Sequence, residues 1–193
     1  LGYFLLHGKC AFCDHPFASR YPFVELITAL LTIIVYVVFG FNTQFITYLI
    51  LTYLLISVTF VDIDHFIIPN GFVLFGILIL AGSILFKLVP IEWQESISGA
   101  FVFAGFLFGI GLIGQFILKK ESIGFGDVKL GLVLGGFLGV EYSVLALYLS
   151  FAISAIFIFI MIGGKLMEKN AKIPFGPYLA AGTLIALFTK TPY

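Results

Sequence analysis

Charged residues are scarce in this sequence. Only 10% of its 193 residues are Asp, Glu, Lys or Arg, whereas 61% are hydrophobic, and the mean hydropathy is +1.17. Soluble domains carry about 25% charged residues, so this chain cannot cover a water-facing surface with polar groups. Net charge is zero, which removes the electrostatic basis for nucleic acid as a partner. Cysteine is limited to two residues, Cys10 and Cys13. No signal-peptide pattern opens the chain and its first residue is Leu rather than Met. It therefore reads as the remainder of a longer protein, with at least one segment expected upstream.

What the sequence has in abundance is long apolar runs. In lipid, only helices and closed barrels satisfy their own backbone polar groups, and these runs are far too long for barrel strands. The expected fold is all-α: a polytopic membrane helix bundle forming one domain over residues 22–193, preceded by a short polar loop at 1–21. Apolar segments are expected at 22–39, 44–61, 71–86, 96–118, 127–139, 142–162 and 174–188, giving about seven crossings. Pro69, which lacks a backbone N–H, limits continuation of the second segment. If each segment crosses once, the loops at 1–21, 62–70, 119–129 and 163–173 share one side. Eight of the ten Lys and Arg fall there, and only Lys87 and Lys190 fall on the other. The positive-inside rule assigns the first side to the cytoplasm.

Two acidic clusters lie on that same face. Asp62-Ile63-Asp64-His65 ends one apolar segment, and Gly124-Phe125-Gly126-Asp127-Val128-Lys129 opens another. A carboxylate at membrane depth costs about 2.5–3.5 kcal/mol on insertion scales, and less near the interface, so either cluster alone reads equally well as an ordinary helix end. Asp62 and Asp64, two apart, point about 200° away from each other on a helix, so only one can face a given partner. His65 shares the face of Asp62 if the helix extends that far. Gly124 and Gly126 remove side chains beside Asp127, opening the way for another helix to approach its carboxylate. Two carboxylates brought together do not easily both ionise; one keeps a proton and the other acts as base. That pair can activate water against a peptide carbonyl without metal or covalent intermediate.

The run Val61-Asp62-Ile63-Asp64-His65-Phe66-Ile67-Ile68-Pro69-Asn70, followed by Gly124-Phe125-Gly126-Asp127-Val128-Lys129-Leu130, closely resembles the type IV prepilin peptidases. Gly8-Lys9-Cys10-Ala11-Phe12-Cys13 with Arg20-Tyr21-Pro22-Phe23-Val24-Glu25 resembles their cytoplasmic loop, and Pro174-Phe175-Gly176-Pro177 looks like a later segment of the family. The resemblance covers nearly the whole chain in order. It implies a membrane aspartic endopeptidase of the bacterial plasma membrane, acting at the cytoplasmic face on prepilins or pseudopilins. It implies Asp62 and Asp127 as the catalytic pair, with Asp64 the runner-up for the first role. Many members then methylate the new N-terminus with S-adenosylmethionine. The N-terminal region linked to methylation in the family lies outside these 193 residues, so that activity is left open.

Relatives often carry two Cys-x-x-C pairs resembling a four-cysteine zinc knot. By that resemblance Cys10 and Cys13 are candidate ligands of a structural zinc, with two free loop thiols as the alternative. Glu25 either contacts the basic residues of a leader peptide or faces water at the interface. Lys129, two residues past Asp127 and so on a different helical face, is either a positive-inside anchor or a charge tuning the pair. Three other functions compete. A presenilin-like protease of other substrates shares the Gly-x-Gly-Asp element but not the cysteine loop. A secondary transporter would use the aspartates as an ion relay and show inverted halves, and no convincing internal repeat is present. A non-catalytic assembly protein would tolerate loss of either aspartate.

Overall fold

The computed structural model describes residues 18, 20–118, 123–166 and 172–190. Cys10 and Cys13, and with them the expected metal loop, lie outside the described residues. Among the described residues there are six helices: α1 Arg20–Phe39, α2 Thr43–His65, α3 Asn70–Leu85, α4 Trp93–Leu118, α5 Phe125–Gly163 and α6 Gly176–Thr189. No strand occurs among the described residues. By length and composition α1, α2, α4 and α5 can each cross a membrane, while α3 and α6 are shorter apolar helices. The chain is thus a multi-pass helical bundle.

Helix α5 has 39 residues, roughly 58 Å if straight and about twice the hydrocarbon thickness of a bilayer. It breaks at Gly139, whose φ of 76° and ψ of −177° are not helical. Positive φ is a conformation that glycine adopts without steric cost, and a Cβ there would strike the Glu95 side chain. The two arms fold back on each other, as their contacts with α4 reveal. Gly131 of the first arm lies against Phe103 and Leu107, and Phe151 of the second lies edge-on to Phe106. Nearer the break, Gly135 approaches Gly99 and the Ser143 hydroxyl donates to the Gly99 carbonyl. Residues 125–138 and 140–163 are therefore antiparallel, in agreement with separate segments expected at 127–139 and 142–162.

The 125–138 arm is the centre of the bundle. Leu130, Val133, Leu134, Phe137 and Leu138 are each at most 1% exposed. Gly76 of α3 packs on Val133, and the Gly99–Gly135 contact is backbone to backbone. Such close approach replaces the water-driven attraction that is missing between helices in lipid. By contrast α1 is largely exposed and touches α2 through Thr32 to Tyr53 at 3.0 Å and Phe39 to Tyr48. Asn42 joins those two helices. Its amide donates to the Phe39 carbonyl at 2.8 Å, and its side-chain oxygen accepts from the Phe45 N–H at 2.9 Å, capping α2.

Several boundaries differ from expectation, by two to four residues in the cases that matter here. Helix α2 continues through the acidic cluster to His65, ending where Phe66 adopts φ 55° and its N–H bonds the Asp62 carbonyl. Asp, Ile and His cost a helix only tenths of a kcal/mol; the effective barrier is Pro69 beyond them. Helix α5 starts at Phe125 rather than Asp127, and α4 at Trp93 rather than Ser96.

Candidate active site

The continuation of α2 decides which acid of the first cluster faces inward. Asp62 lies in the last turn and is 5% exposed. Its Oδ2 accepts the Gly176 N–H at 2.8 Å. Asp64 turns outward and pairs with Arg20 of α1 at 2.6 Å, and Arg20 also donates to the Phe60 carbonyl and stacks on the Phe60 ring. His65 is exposed and does not line the site.

Asp127 comes from the other side of the site. Gly124 caps α5 in an extended conformation, which places Asp127 in the first turn, its N–H on the Gly124 carbonyl at 3.0 Å. The positive end of the helix dipole lies there. Asp127 is 8% exposed. A Cβ at Gly124 would come 3.1 Å from its Oδ2, and one at Gly126 would come 3.1 Å from Ile68. Gly126 thus lets the first turn of α5 approach the segment after α2, and Gly124 leaves room for the Asp127 carboxylate itself; the close neighbour is the α2–α3 connection rather than the helix that was expected.

Both carboxylates line one cavity of ≈250 Å³, with Phe66, Ile67 and Ile68 from the α2–α3 connection, Asn70, Gly124 to Gly126, and Lys129. Two buried acids from separate helices therefore meet at helix ends, beside a half-open space. The arrangement can hold a water and one shared proton next to an extended peptide.

One member of the site escaped sequence reasoning, and the part of a second was left open. Gly176 gives Asp62 its only backbone donor among the described residues, and a Cβ there would sit 2.7 Å from Asp62 Oδ2. The available signal was the Gly-Pro pair opening α6: Pro177 at the first helical turns follows a glycine whose N–H is one of the orphan donors of a helix start. Lys129 was placed on another face, yet it lines the cavity and donates to Asn70 Oδ1 at 3.0 Å. Glu25 is exposed, away from the cavity. Among the described residues no His, Cys, Asp and Glu group is arranged to hold a metal ion.

A family model described as the type IV leader peptidase family matches residues 49–159, and one described as the bacterial peptidase A24 N-terminal domain matches residues 1–39. A protein of Aeromonas salmonicida (strain A449) named prepilin leader peptidase/N-methyltransferase is 36% identical over 191 residues, covering 97% of this chain and 64% of that protein. Proteins of the same name from Legionella pneumophila and Bacillus subtilis (strain 168) are 35% and 32% identical. They cover 97% and 96% of this chain, and 65% and 73% of their own lengths. The chain spans just under two thirds of the length of the Aeromonas relative. No solved structure matches. With both motifs inside the matched region and their aspartates on one cavity, the chain belongs to the type IV leader peptidase family.

Proposed function

We propose that this protein is a membrane aspartic endopeptidase that removes the leader peptides of prepilins or pseudopilins. The observation that carries the reading is the burial of Asp62 and Asp127 on one cavity at the ends of separate apolar helices. One carboxylate takes a proton from water as the water oxygen bonds to the scissile carbonyl carbon; the other gives its proton to the carbonyl oxygen. Collapse of that tetrahedral species breaks the C–N bond, and the amine leaves with a proton returned by the pair. The Gly176 N–H, bound to Asp62, fixes the orientation of that carboxylate. Asp64, engaged by Arg20, takes no part.

The charge split supports a seven-crossing arrangement in the plasma membrane of a bacterial cell, α5 contributing two crossings and the site facing the cytoplasm. Cys10 and Cys13 would supply two thiolates to a structural zinc that braces the N-terminal loop. N-methyltransferase is the second activity in the relatives' names, and methylation of the new N-terminus with S-adenosylmethionine is proposed for the full-length protein only.

The test is cleavage of a prepilin substrate by full-length protein in vesicles. Asp62→Asn and Asp127→Asn should each abolish cleavage while inserting normally. Full activity in Asp127→Asn would end the reading. For the loop, about one zinc per full-length chain is expected, lost on Cys10→Ser with Cys13→Ser; a metal-free preparation would return the pair to ordinary thiols.

A further inference from the structure

We propose that Lys129 is a third catalytic group, its ammonium donating a hydrogen bond to the scissile carbonyl oxygen as water adds. This inference rests on the peptidase reading above. On helical spacing alone Lys129 points about 200° away from Asp127. Its four-carbon stem, however, carries Nζ back to the cavity, as long cationic side chains do along apolar surfaces. Two contacts hold it there: Asn70 Oδ1 at 3.0 Å and the face of the Phe125 ring, 4.9 Å to its centroid. Asn70 opens α3 directly after Pro69, and Phe125 lies in the first turn of α5. The lysine is thereby held by residues of both motifs at once, on the lining of the cavity.

The cavity gives that ammonium a task. Its lining contains Asp62, Asp127 and Lys129 as the only titratable side chains, and Asn70 and Lys129 as the only side-chain donors. Among the described residues the sole ion pair is Arg20–Asp64, so Lys129 lines the cavity of the two carboxylates without closing a salt bridge to either. A pair sharing one proton carries one negative charge, and among the described residues no cation is ion-paired with it. As the water oxygen bonds to carbon, the C=O electron pair moves to oxygen, which gains a proton from the acidic carboxyl while the other carboxylate takes the proton from water. Before that transfer is complete the oxygen carries charge, and a fixed donor aimed there is worth most. Lys129 keeps its own proton throughout. A plain interfacial anchor would instead extend into headgroup water, whereas both contacts of Lys129 are with protein and it is half-buried.

Steady-state cleavage of a prepilin substrate by full-length protein tests the proposal. Lys129→Met should lower kcat and kcat/KM together by about 100–1,000-fold, the loss typical of one oxyanion donor. Lys129→Arg, which keeps charge and donors, should recover at least about tenfold of that loss. Asn70→Ala should cost about tenfold by loosening the ammonium, and should cost nothing further on top of Lys129→Met. A Lys129→Met enzyme within about threefold of wild type, an equal loss in Met and Arg variants, or a change confined to KM would overturn it. If Lys129→Met fails to insert, Asn70→Ala decides: a fall in kcat supports the role and an unchanged kcat overturns it. Wild type that cleaves, a dead Asp127→Asn and an indifferent Lys129→Met defeat this inference alone. Wild type that never cleaves defeats the peptidase reading with it.

Discussion

The two ends of the central 125–138 arm both gather charge, and they treat it in opposite ways. At its start Asp127 and Asp62 are buried together, and among the described residues neither is paired with a cation. At its finish the chain reverses at Gly139 beside Glu95. There Lys190 donates to the terminal Leu138 carbonyl at 3.4 Å and lies 5.5 Å from the centre of the Tyr142 ring. Burial pulls the Lys190 ammonium below the usual lysine range, and Glu95 and Glu141, both exposed, oppose that pull. Charge at the reversal is thus mixed in sign and compensated, which suits a structural end. Two acids at the start are buried without an ion pair among the described residues, an arrangement that costs folding energy and that the proposed chemistry accounts for.

Removing an acid from the uncompensated end gives the largest expected effect. Asn in place of Asp62 or Asp127 keeps size and polarity but exchanges no proton, so turnover should fall by at least about 100–10,000-fold with insertion intact. In wild type the rate should follow a bell against pH, both limbs belonging to the pair rather than to either residue. Turnover in Asp62→Asn combined with inactivity in Asp64→Asn would transfer the first role to Asp64.

Next in size is Gly176→Ala, which tests how tightly the start of the arm is built. The added Cβ would lie 2.7 Å from Asp62 Oδ2, so the carboxylate or α6 must shift. A displacement near 1 Å costs about 100-fold in rate. Expected is a lowered kcat with little change in substrate binding; normal kcat would mean that α6 has room to move and that Gly176 does not set the geometry.

This contact also marks where sequence reasoning stops. The apolar segments, the reversal at Gly139 and the two aspartates were legible because hydropathy, glycine and acid placement are local signals. The separation of Asp62 and Asp64 by about 200° meant that only one could face the site, and the family resemblance alone preferred Asp62. Gly176 could not be found this way, since its bond to Asp62 spans 114 residues and depends on how α6 docks. The part of Lys129 stayed open for a different reason: spacing describes where a Cβ points, not where a long flexible side chain ends. The end of α2 was set too early because polarity was read as a break, although carboxylates propagate a helix well enough.

A smaller effect is expected at the acid that faces water. Asp64 is 39% and Arg20 43% exposed at the side chain, and exposed ion pairs contribute about 0–1 kcal/mol. Asp64→Asn should leave kcat within about threefold of wild type and relax α1 against α2, visible as faster proteolysis near residue 20. Loss of activity comparable to that of Asp62→Asn would break the contrast between the inward and outward acids.

The smallest effect on turnover should come from the compensated end. Lys190→Met removes the donor to Leu138 and the counter-charge to Glu95 and Glu141. The bond is long and the acids are exposed, so the loss should fall near the bottom of the range for charged hydrogen bonds, about 1 kcal/mol. In detergent this should appear as a Tm lower by a few degrees. The site lies a whole arm away, roughly 20 Å for 14 helical residues, so kcat per folded molecule should not change. Glu95→Gln should destabilise less than Lys190→Met, because the lysine also serves the carbonyl. A Lys190→Met protein with unchanged Tm and reduced kcat would couple the reversal to the chemistry, and the division of the arm into a structural and a reactive end would fail.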